Sequence, residues 1–479
     1  MLTAYRADTI RAAEAALPRL LADGTLMQRA AVGVAAACLG ELRSRAGGSY
    51  ARRVLVVVGP GNNGGDGLYA AARLCERGVV VGAWRTAATV HEGGWAAFLG
   101  AGGRVVDAVA AVEWLADCDL VIDAVLGLGG RPGLRSEVAA LAAACLDLGV
   151  PVVAVDLPSG LDADSGTVGE SFTAALTVTF GGRRLCHVLE PARSRCGAIQ
   201  VVDIGLALAD ADLDAWTLAD LAGVWPIPGP KSDKYSRGVV GFETGSASYP
   251  GAAVLGVGAA VHSGAGMVRY RGPKAVGREV VRAYPNVVLG DGRVQARVLG
   301  SGWGERPDGD AVVAAALAEG SPLVLDADAL RHLPRGPLGA HVLLTPHAGE
   351  LAVMLGVARP DVTNDPLAAV AAAVARTGAT VLLKGATQVV RGPGDVHATL
   401  AIEGPGWTAQ AGSGDCLAGA AGMLLAAGLS ARTAALAAAS LQAVAARRHL
   451  GPQPPQALAA HFAEVVGSLA SLHDQTTFV

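Results

Sequence analysis

Val54-Leu55-Val56-Val57-Val58-Gly59-Pro60-Gly61-Asn62-Asn63-Gly64-Gly65-Asp66-Gly67 decides how the first half of the chain is read. A β-branched run meets a Gly-rich turn and then a helical stretch to Arg77, the strand–turn–helix opening of an α/β unit. Gly59, Gly61 and Gly64 satisfy G-x-G-x-x-G, yet two features argue against an ordinary dehydrogenase. The next strand ends at Trp84-Arg85-Thr86 with no acid for a ribose 2′-hydroxyl. Asp66 also puts a carboxylate near the helix N-terminus, where a pyrophosphate would sit. The turn offers amide oxygens and one carboxylate instead, ligands for a hard cation or partners for ribose and carboxamide groups. The blander alternative is a tight turn whose Asn residues tolerate left-handed dihedrals.

Outward from this stretch, the runs Val79–Trp84, Leu120–Ala124, Val152–Val155 and Leu176–Phe180 alternate with Ala/Leu/Glu segments of helical spacing. Near-continuous apolar strands between helices predict a parallel sheet covered on both faces. Residues 1–50 predict one or two amphipathic helices packed outside it, through Ile10, Ala13, Leu17 and Leu20. Strand Leu120–Ala124 delivers Asp123 to a loop, Gly127-Leu128-Gly129-Gly130-Arg131-Pro132-Gly133, and Val152–Val155 delivers Asp156-Leu157-Pro158-Ser159-Gly160. Ligands bind at the carboxyl ends of open parallel strands, so these polar ends are expected to converge on one crevice. A lone Asp after a strand is usually a helix N-cap; three such strand ends together argue for a site.

Pro226-Ile227-Pro228-Gly229-Pro230 cannot lie inside a helix or central strand, which places a domain boundary near 215–228. The expected domains are therefore 1–215 and 226–479. In the second, strand-like runs recur at Val239–Glu243, Leu323–Leu325, His341–Leu344 and Val381–Leu383 between Ala-rich helices, so it too reads as α/β. Ala411-Gly412-Ser413-Gly414-Asp415 precedes a helix expected near Cys416; its small residues allow backbone N–H groups to converge on phosphoryl oxygens. Asp415 is placed to take a proton from an attacking hydroxyl. The strand ending in Leu383 feeds Lys384-Gly385-Ala386-Thr387-Gln388 into a loop, where Lys384 reads as a phosphate contact. Asp326-Ala327-Asp328 and Thr345-Pro346-His347-Ala348-Gly349-Glu350 complete the set. His347 alone would more often be a structural histidine; in this company it reads as functional.

Composition bounds the function. The chain has 479 residues, 52% hydrophobic and 17% charged, ample for buried cores. Lys+Arg 38 against Asp+Glu 42 gives a net charge of −4 with no basic stripe, which disfavours nucleic-acid binding. Only four of the basic residues are Lys (Lys231, Lys234, Lys274 and Lys384), so each is conspicuous. Seven scattered Cys without C-x-x-C spacing read as reduced thiols. Charged residues at the start exclude a signal peptide and the apolar runs fall short of a membrane span, so a soluble cytoplasmic protein is expected, without a membrane partner.

The segments GNNGGDG, DAVLGLGG, AVDLPSGLDADSG and TVTFGG, in this order over most of residues 1–210, resemble the epimerase domain of NAD(P)HX-repair proteins, which act on the hydrates of NADH and NADPH. The resemblance implies a Rossmann-like domain with K⁺ on Asn63, Asp123 and Ser159. It also implies a substrate pocket of Asn62, Asn63, Gly64, Gly65, Asp66, Gly127, Leu128, Gly129, Gly130, Arg131, Pro132, Gly133 and Asp156. Interconverting the R and S hydrates requires reversible opening at the hemiaminal carbon, with Asp156 as the proton acceptor. Where the family shows a Lys a few residues after the TVTF strand, this chain has Arg183-Arg184, and guanidinium cannot shuttle a proton.

Over about 228–470, Lys231…Lys234-Tyr235-Ser236-Arg237-Gly238, Pro250-Gly251-Ala252-Ala253, Ser263-Gly264-Ala265-Gly266, the TPHxGE-like turn and AGSGD resemble the ribokinase-like superfamily, and within it the ADP-dependent NAD(P)HX dehydratases. That implies nucleotide contacts at Lys384, Gly385, Ala386, Thr387, Gln388 and Gly414, and hydrate contacts at Ala252, Gly304, His347 and Asp415. ADP would be phosphoryl donor, with Mg²⁺ between its phosphates and Asp415 as base. Ser301 and Ala348 stand where the family favours Pro, departures expected to change loop stiffness more than chemistry. The expected whole is an α/β, bifunctional, homo-oligomeric repair enzyme. Two alternatives stay open: an ATP-dependent hydroxymethylpyrimidine-like kinase with an accessory domain, and an N-terminal ligand-sensing module without turnover.

Overall fold

The computed structural model describes residues 1–477. Its contacts divide the chain into two units, one of Thr3–Leu213 and one of Asp214–Val479 with Met1–Leu2. The second unit starts a little before the expected boundary. Strand Leu213–Ala215 straddles the division, and its Asp214 and Ala215 pair in parallel with Thr399 and Leu400. Helix Leu218–Val224 follows, opened by Thr217 and Asp220 in a reciprocal cap.

The first unit is built on seven strands: β1 (Arg53–Val58), β2 (Val80–Arg85), β3 (Arg104–Val106), β4 (Leu120–Ala124), β5 (Val152–Val155), β6 (Leu176–Phe180) and β7 (Ala198–Val202). Their order is β3-β2-β1-β4-β5-β6-β7, and every pair is parallel. Alternation explains the layers. Val54, Val56, Val58 and Ile122 face one core with helices α1 (Thr25–Ala46) and α2 (Asn62–Cys75). Leu55, Val57 and Val121 face the opposite core with helix Ser136–Asp147. The order reverses between β1 and β4, so a crevice opens where their carboxyl ends part. Strands β3 and β7 were not expected from the sequence. Both lie at sheet edges and are half wet, so they lack the apolar run that marks the central strands.

In the second unit the strands are β8 (Leu213–Ala215), β9 (Val239–Glu243), β10 (Met267–Tyr270), β11 (Val288–Leu289), β12 (Ala296–Leu299), β13 (Leu323–Leu325), β14 (Val342–Leu344), β15 (Thr380–Leu383), β16 (Val389–Arg391) and β17 (Thr399–Leu400). The order is β11-β10-β9-β12-β13-β14-β15-β16-β17-β8, with β16 antiparallel to both neighbours. Strands β10 and β12 escape a sequence reading because Arg269 and Arg297 interrupt their apolar runs. Arg297 is buried and gathers Glu243 and Glu319, both at 2.8 Å. Val240, Phe242, Val298, Val324, Leu343 and Leu382 point into one core with helices α3 (Pro250–His262), α4 (Ser413–Ala426) and α5 (Ala431–Arg448).

Helices α3 and α4 meet glycine to glycine: a Cβ on Gly419 would lie 2.0 Å from the Gly256 carbonyl oxygen. The contact sets the height of α4, whose first turn carries Asp415. Gly419→Ala should therefore destabilise the second unit by about 1–3 kcal/mol through overpacking. Urea unfolding followed by circular dichroism measures it; an unchanged midpoint would refute the close approach.

Candidate functional site

In the first unit the Gly-rich stretch is shorter as a loop than the sequence predicts. Helix α2 already begins at Asn62, so Asn63 and Asp66 are held by its first turns, not by a flexible turn. Asp123, at the end of β4, is fully buried. Its carboxylate accepts bonds from the Ser159 N–H at 2.7 Å, the Ser159 hydroxyl at 2.6 Å and the Val125 N–H at 3.3 Å. Burial pushes its pKa up to about 6 against those donors. Among the described residues no cationic side chain pairs with Asp123. The amide nitrogen of Asn63 is also buried without a partner.

Asp156 follows β5 with φ +68°, a left-handed conformation whose steric cost a functional position can carry. One of its oxygens accepts from Arg184 Nη2 at 2.8 Å and Thr179 Oγ1 at 3.1 Å. The other faces Gly127, where a Cβ would come within 2.8 Å of Asn63 Oδ1 and 3.2 Å of Asp156 Oδ2. Only a residue without a side chain leaves that approach open. Asp66 stands on the same cleft; burial, reinforced by the charges of Asp156 and Glu14, holds its carboxyl well above the usual carboxylate range. Burial likewise raises Glu14, with Arg184 opposing. The site thus keeps one ion-paired carboxylate beside carboxyls biased to the neutral acid.

These groups line a cleft of about 480 Å³. Asn62, Asn63, Asp66, Gly127, Leu128, Gly129, Gly130 and Asp156 face it as expected; the remaining expected residues do not. Gly64 and Gly65 lie on the buried face of α2, where a Cβ on Gly65 would meet His91 and Met27. Arg131 and Pro132 are exposed, and Gly133 bonds the Gly160 carbonyl at 3.0 Å. Sequence reasoning missed the opposite wall. Arg11 and Glu14 from helix Ala7–Ala15, Met27 from α1 and Arg184 all reach the cleft. The N-terminal helices are therefore walls of the site, not outer packing; Glu14 is one of several charged residues on an amphipathic helix, and nothing in that pattern singles it out.

In the second unit the hub is Asp326, after β13, 2% exposed. It accepts from Ser301 Oγ at 2.8 Å, Thr345 Oγ1 at 2.7 Å and Lys384 Nζ at 2.7 Å. One carboxylate thereby ties together the loops after β12, β14 and β15. Ala327 beside it has φ +50°. Ser301, expected to change loop stiffness more than chemistry, also donates its buried hydroxyl to the hub. Ala348 is the first residue of helix Ala348–Leu355, where Pro would fit equally.

Helix α4 begins at Ser413, earlier than expected, with Gly412 left-handed at its cap. Gly414 lets the Lys384 ammonium come close: a Cβ there would sit 3.3 Å from Nζ. Burial works against the Lys384 charge, but Asp326, Glu350 and Asp415 outweigh it and raise its pKa. Asp415 is pushed up to about 7 by burial and the Asp326 charge, with Lys384 opposing. His347 caps its helix: its Nδ1 accepts from the N–H of Gly349 and Glu350 at 3.0 and 3.1 Å. In the neutral ring that leaves the proton on Nε2, which faces Glu350 Oε1 at 3.4 Å. The Gly304 N–H bonds Asp328 at 2.8 Å, and Ala252 abuts Gly302. Gly385 and Ala386 are exposed in the turn after β15, Thr387 is half-buried there, and the side-chain Oε1 of Gln388 is buried without a partner.

Residues 240–465 match the family described as NAD(P)H-hydrate dehydratase, and residues 23–186 match the family described as YjeF-related protein N-terminus. The chain is 45% identical over 443 residues to the bifunctional NAD(P)H-hydrate repair enzyme Nnr of Mycobacterium tuberculosis, covering 90% of each chain. It is 40% identical over 221 residues to the NAD(P)H-hydrate epimerase of Clavibacter michiganensis, covering 43% of this chain and 92% of that one. The ADP/ATP-dependent NAD(P)H-hydrate dehydratase of Bacillus subtilis, co-crystallised with ATP and Mg²⁺, is 26% identical, with a TM-score of 0.49 over 54% of this chain and 98% of that one.

The Arg184–Asp156 pair is almost wholly buried, at 1% and 5% side-chain exposure. Arg184→Met should cost about 3–5 kcal/mol by leaving the carboxylate unpaired. Adding Asp156→Asn should recover much of that loss in thermal unfolding; an additive second loss would show that the two groups are not coupled.

Proposed function

Because this chain belongs to the family of bifunctional NAD(P)H-hydrate repair enzymes, we propose that its two clefts act in turn on one damaged cofactor. The first interconverts the R and S hydrates of NADH or NADPH, and the second dehydrates the S form using ADP, releasing AMP and phosphate. The observation that carries this reading is the pair of strand-end carboxylate sites. One holds an ion-paired acceptor beside neutral acids; the other sets Asp415, titrating near neutrality, against a lysine and a helix N-terminus.

In the first unit Asp156 takes the proton of the C6 hydroxyl as the hemiaminal carbon–oxygen bond becomes a carbonyl and the ring nitrogen departs. Arg184 and Thr179 hold one oxygen of Asp156, leaving the other directed past Gly127 to the substrate. Asp66, kept as the neutral acid, donates toward the departing nitrogen. Reclosure on the other face of the carbonyl inverts the centre. Asn63 Oδ1, the Asp123 carboxylate and Ser159 Oγ form an oxygen set that fits K⁺, since Asp123 is a buried carboxylate satisfied by neutral donors alone. When bound there, K⁺ supplies positive charge to substrate phosphate oxygens.

In the second unit Asp415 takes the proton of the C6 hydroxyl as that oxygen attacks the terminal phosphoryl group of ADP. Lys384 and the N–H groups opening α4 receive the charge on the phosphoryl oxygens, and Gly414 lets them approach. Phosphate then leaves with the C6–O bonding pair, and loss of the C5 proton restores the dihydronicotinamide. Phosphorylation makes chemical sense because hydroxide leaves poorly and phosphate well. Ser301, Thr345 and Lys384 take three of the about four acceptor sites of the Asp326 carboxylate, which holds the loops around the nucleotide. Mg²⁺ belongs to the nucleotide phosphates, and no step here passes through it.

Asp415→Asn should abolish ADP-dependent dehydration, read as reduced-nicotinamide absorbance, while leaving R-to-S interconversion intact; loss of both would sink the two-site assignment. A base must be deprotonated, so the dehydration rate should fall as pH drops below about 7 and level off above it. A flat profile from pH 5.5 to 8.5 would exclude Asp415 as the acceptor. Exchanging K⁺ for a large organic cation should raise the substrate KM of epimerisation without changing dehydration; indifference of both would remove the Asn63–Asp123–Ser159 site.

A further inference from the structure

The second unit holds a further cavity of about 540 Å³, bounded by the short helix Ala327–His332 after β13, helix Ala348–Leu355 and the end of helix Pro366–Thr377. Its lining does not include Asp415 or Lys384, but two of its wall residues reach toward them. His347 pairs in parallel with Lys384, and Glu350 Oε2 lies 3.9 Å from Lys384 Nζ. From Gly349 to Leu355 the wall follows the helix for six residues, about 9 Å. The cavity thus leads away from the lysine and the opening of α4.

Floor and rim differ in chemistry. Leu330, Ala373 and Thr377 are buried on the floor, with Met354 and Leu355 half-buried beside them. Arg331, Arg335 and Arg376 are exposed on the rim. Asp328 approaches Arg331 at 4.0 Å, and Arg376 Nη1 donates to the Leu355 carbonyl at 3.3 Å. Among the described residues no carboxylate pairs with Arg335 or Arg376. Glu350, the carboxylate in the lining, accepts from the His347 N–H at 2.8 Å and faces Lys384, so its charge is answered at the other end. An apolar floor with free guanidiniums at its edge suits a flat base that carries phosphate. ADP does not meet that description: in the proposed dehydration both its phosphates are drawn to Lys384 and α4, which leaves its adenosine uncharged. The hydrate of NADPH does, because its adenosine bears a phosphate on the 2′ oxygen, the group for which dinucleotide sites recruit arginine.

We propose that this cavity lodges the adenosine half of the hydrate during dehydration, with the purine over Leu330 and Ala373 and the 2′-phosphate on Arg335 and Arg376. The proposal rests on the dehydratase reading of this unit and adds a preference to it: the second cleft favours the hydrate of NADPH over that of NADH. Arg331 contributes less, since Asp328 already draws its charge. No bond forms or breaks in the cavity. It acts through binding alone, so the preference resides in KM.

The test compares dehydration of the two S hydrates by the full chain at saturating ADP. The wild-type kcat/KM should be at least about tenfold higher for the hydrate of NADPH, through KM and not kcat. The double variant Arg335→Met/Arg376→Met should bring the two substrates within about twofold by raising the KM of the NADPH hydrate. Arg282→Met, an exposed arginine paired with Glu279 outside the cavity, should keep the wild-type ratio. Adenosine 2′,5′-bisphosphate, titrated calorimetrically in the presence of ADP, should bind the wild type about tenfold more tightly than the double variant. Equal kcat/KM for the two hydrates in the wild type, or a ratio and a bisphosphate affinity that the double variant leaves unchanged, would overturn the proposal. If neither hydrate is dehydrated, the reading of this unit falls, and the titration alone decides the cavity.

Discussion

A carboxylate buried at the carboxyl end of a central parallel strand is the constraint on which each unit depends. Taken from water without compensation it would be too costly to keep, so the loops around it must bring donors. Around Asp123 the donors are neutral, from Val125 and Ser159; around Asp326 they are two hydroxyls and the Lys384 ammonium. In satisfying these acids the chain fixes two loops in the first unit and three in the second. Asp156 and Asp415, the proposed proton acceptors, ride on those fixed positions. In the proposed reactions the buried acid moves no proton; it sets the geometry around the acid that does.

This constraint also explains where the sequence is legible. The central strands are readable because both faces are buried and their runs are almost unbroken, as in Val54–Val58 and Leu323–Leu325. The strands that escape are wet at an edge, like Ala198–Val202, or carry a charge whose partner is remote, like Arg297 with Glu243. The two site motifs announce themselves through residue types. What they do not announce is where the helix starts: in both GNNGGDG and AGSGD the small residues look like loop but are already helical. Glycine is costly in a helix, so local propensity points the wrong way. Close packing overrides it, since a Cβ on Gly64 would meet the Gly59 carbonyl oxygen at 2.2 Å.

Residues drawn from far along the chain were the least visible. Glu14 and Arg11 reach the first cleft from a helix that periodicity marks only as amphipathic, and Ser301 reaches Asp326 from a loop identified by its glycines. Each is a polar residue whose role comes from a partner more than twenty positions away. Pattern within a window cannot register such a pairing. The resemblance to a family supplies the motif residues but not these, because the second wall of a cleft tolerates more variety than the floor that holds the reacting atoms.

The arginine at position 184 shows how a departure from a motif can be absorbed. A lysine near a catalytic acid can lend and recover a proton; a guanidinium cannot. Arg184 is instead buried, donating to Asp156 and to the carbonyls of Gly182 and Phe180, and with burial it keeps His187 well below its ordinary pKa. The charge is therefore permanent and its geometry rigid. In the proposed reaction protons are then exchanged with carboxyls, and the neighbourhood suits it: Asp66 and Glu14 are biased toward the acid form while Asp156 is held against a fixed cation. An always-charged anchor moves the burden of proton exchange from nitrogen to oxygen. Such a site depends on the spacing of its acids more than on the basicity of any lysine.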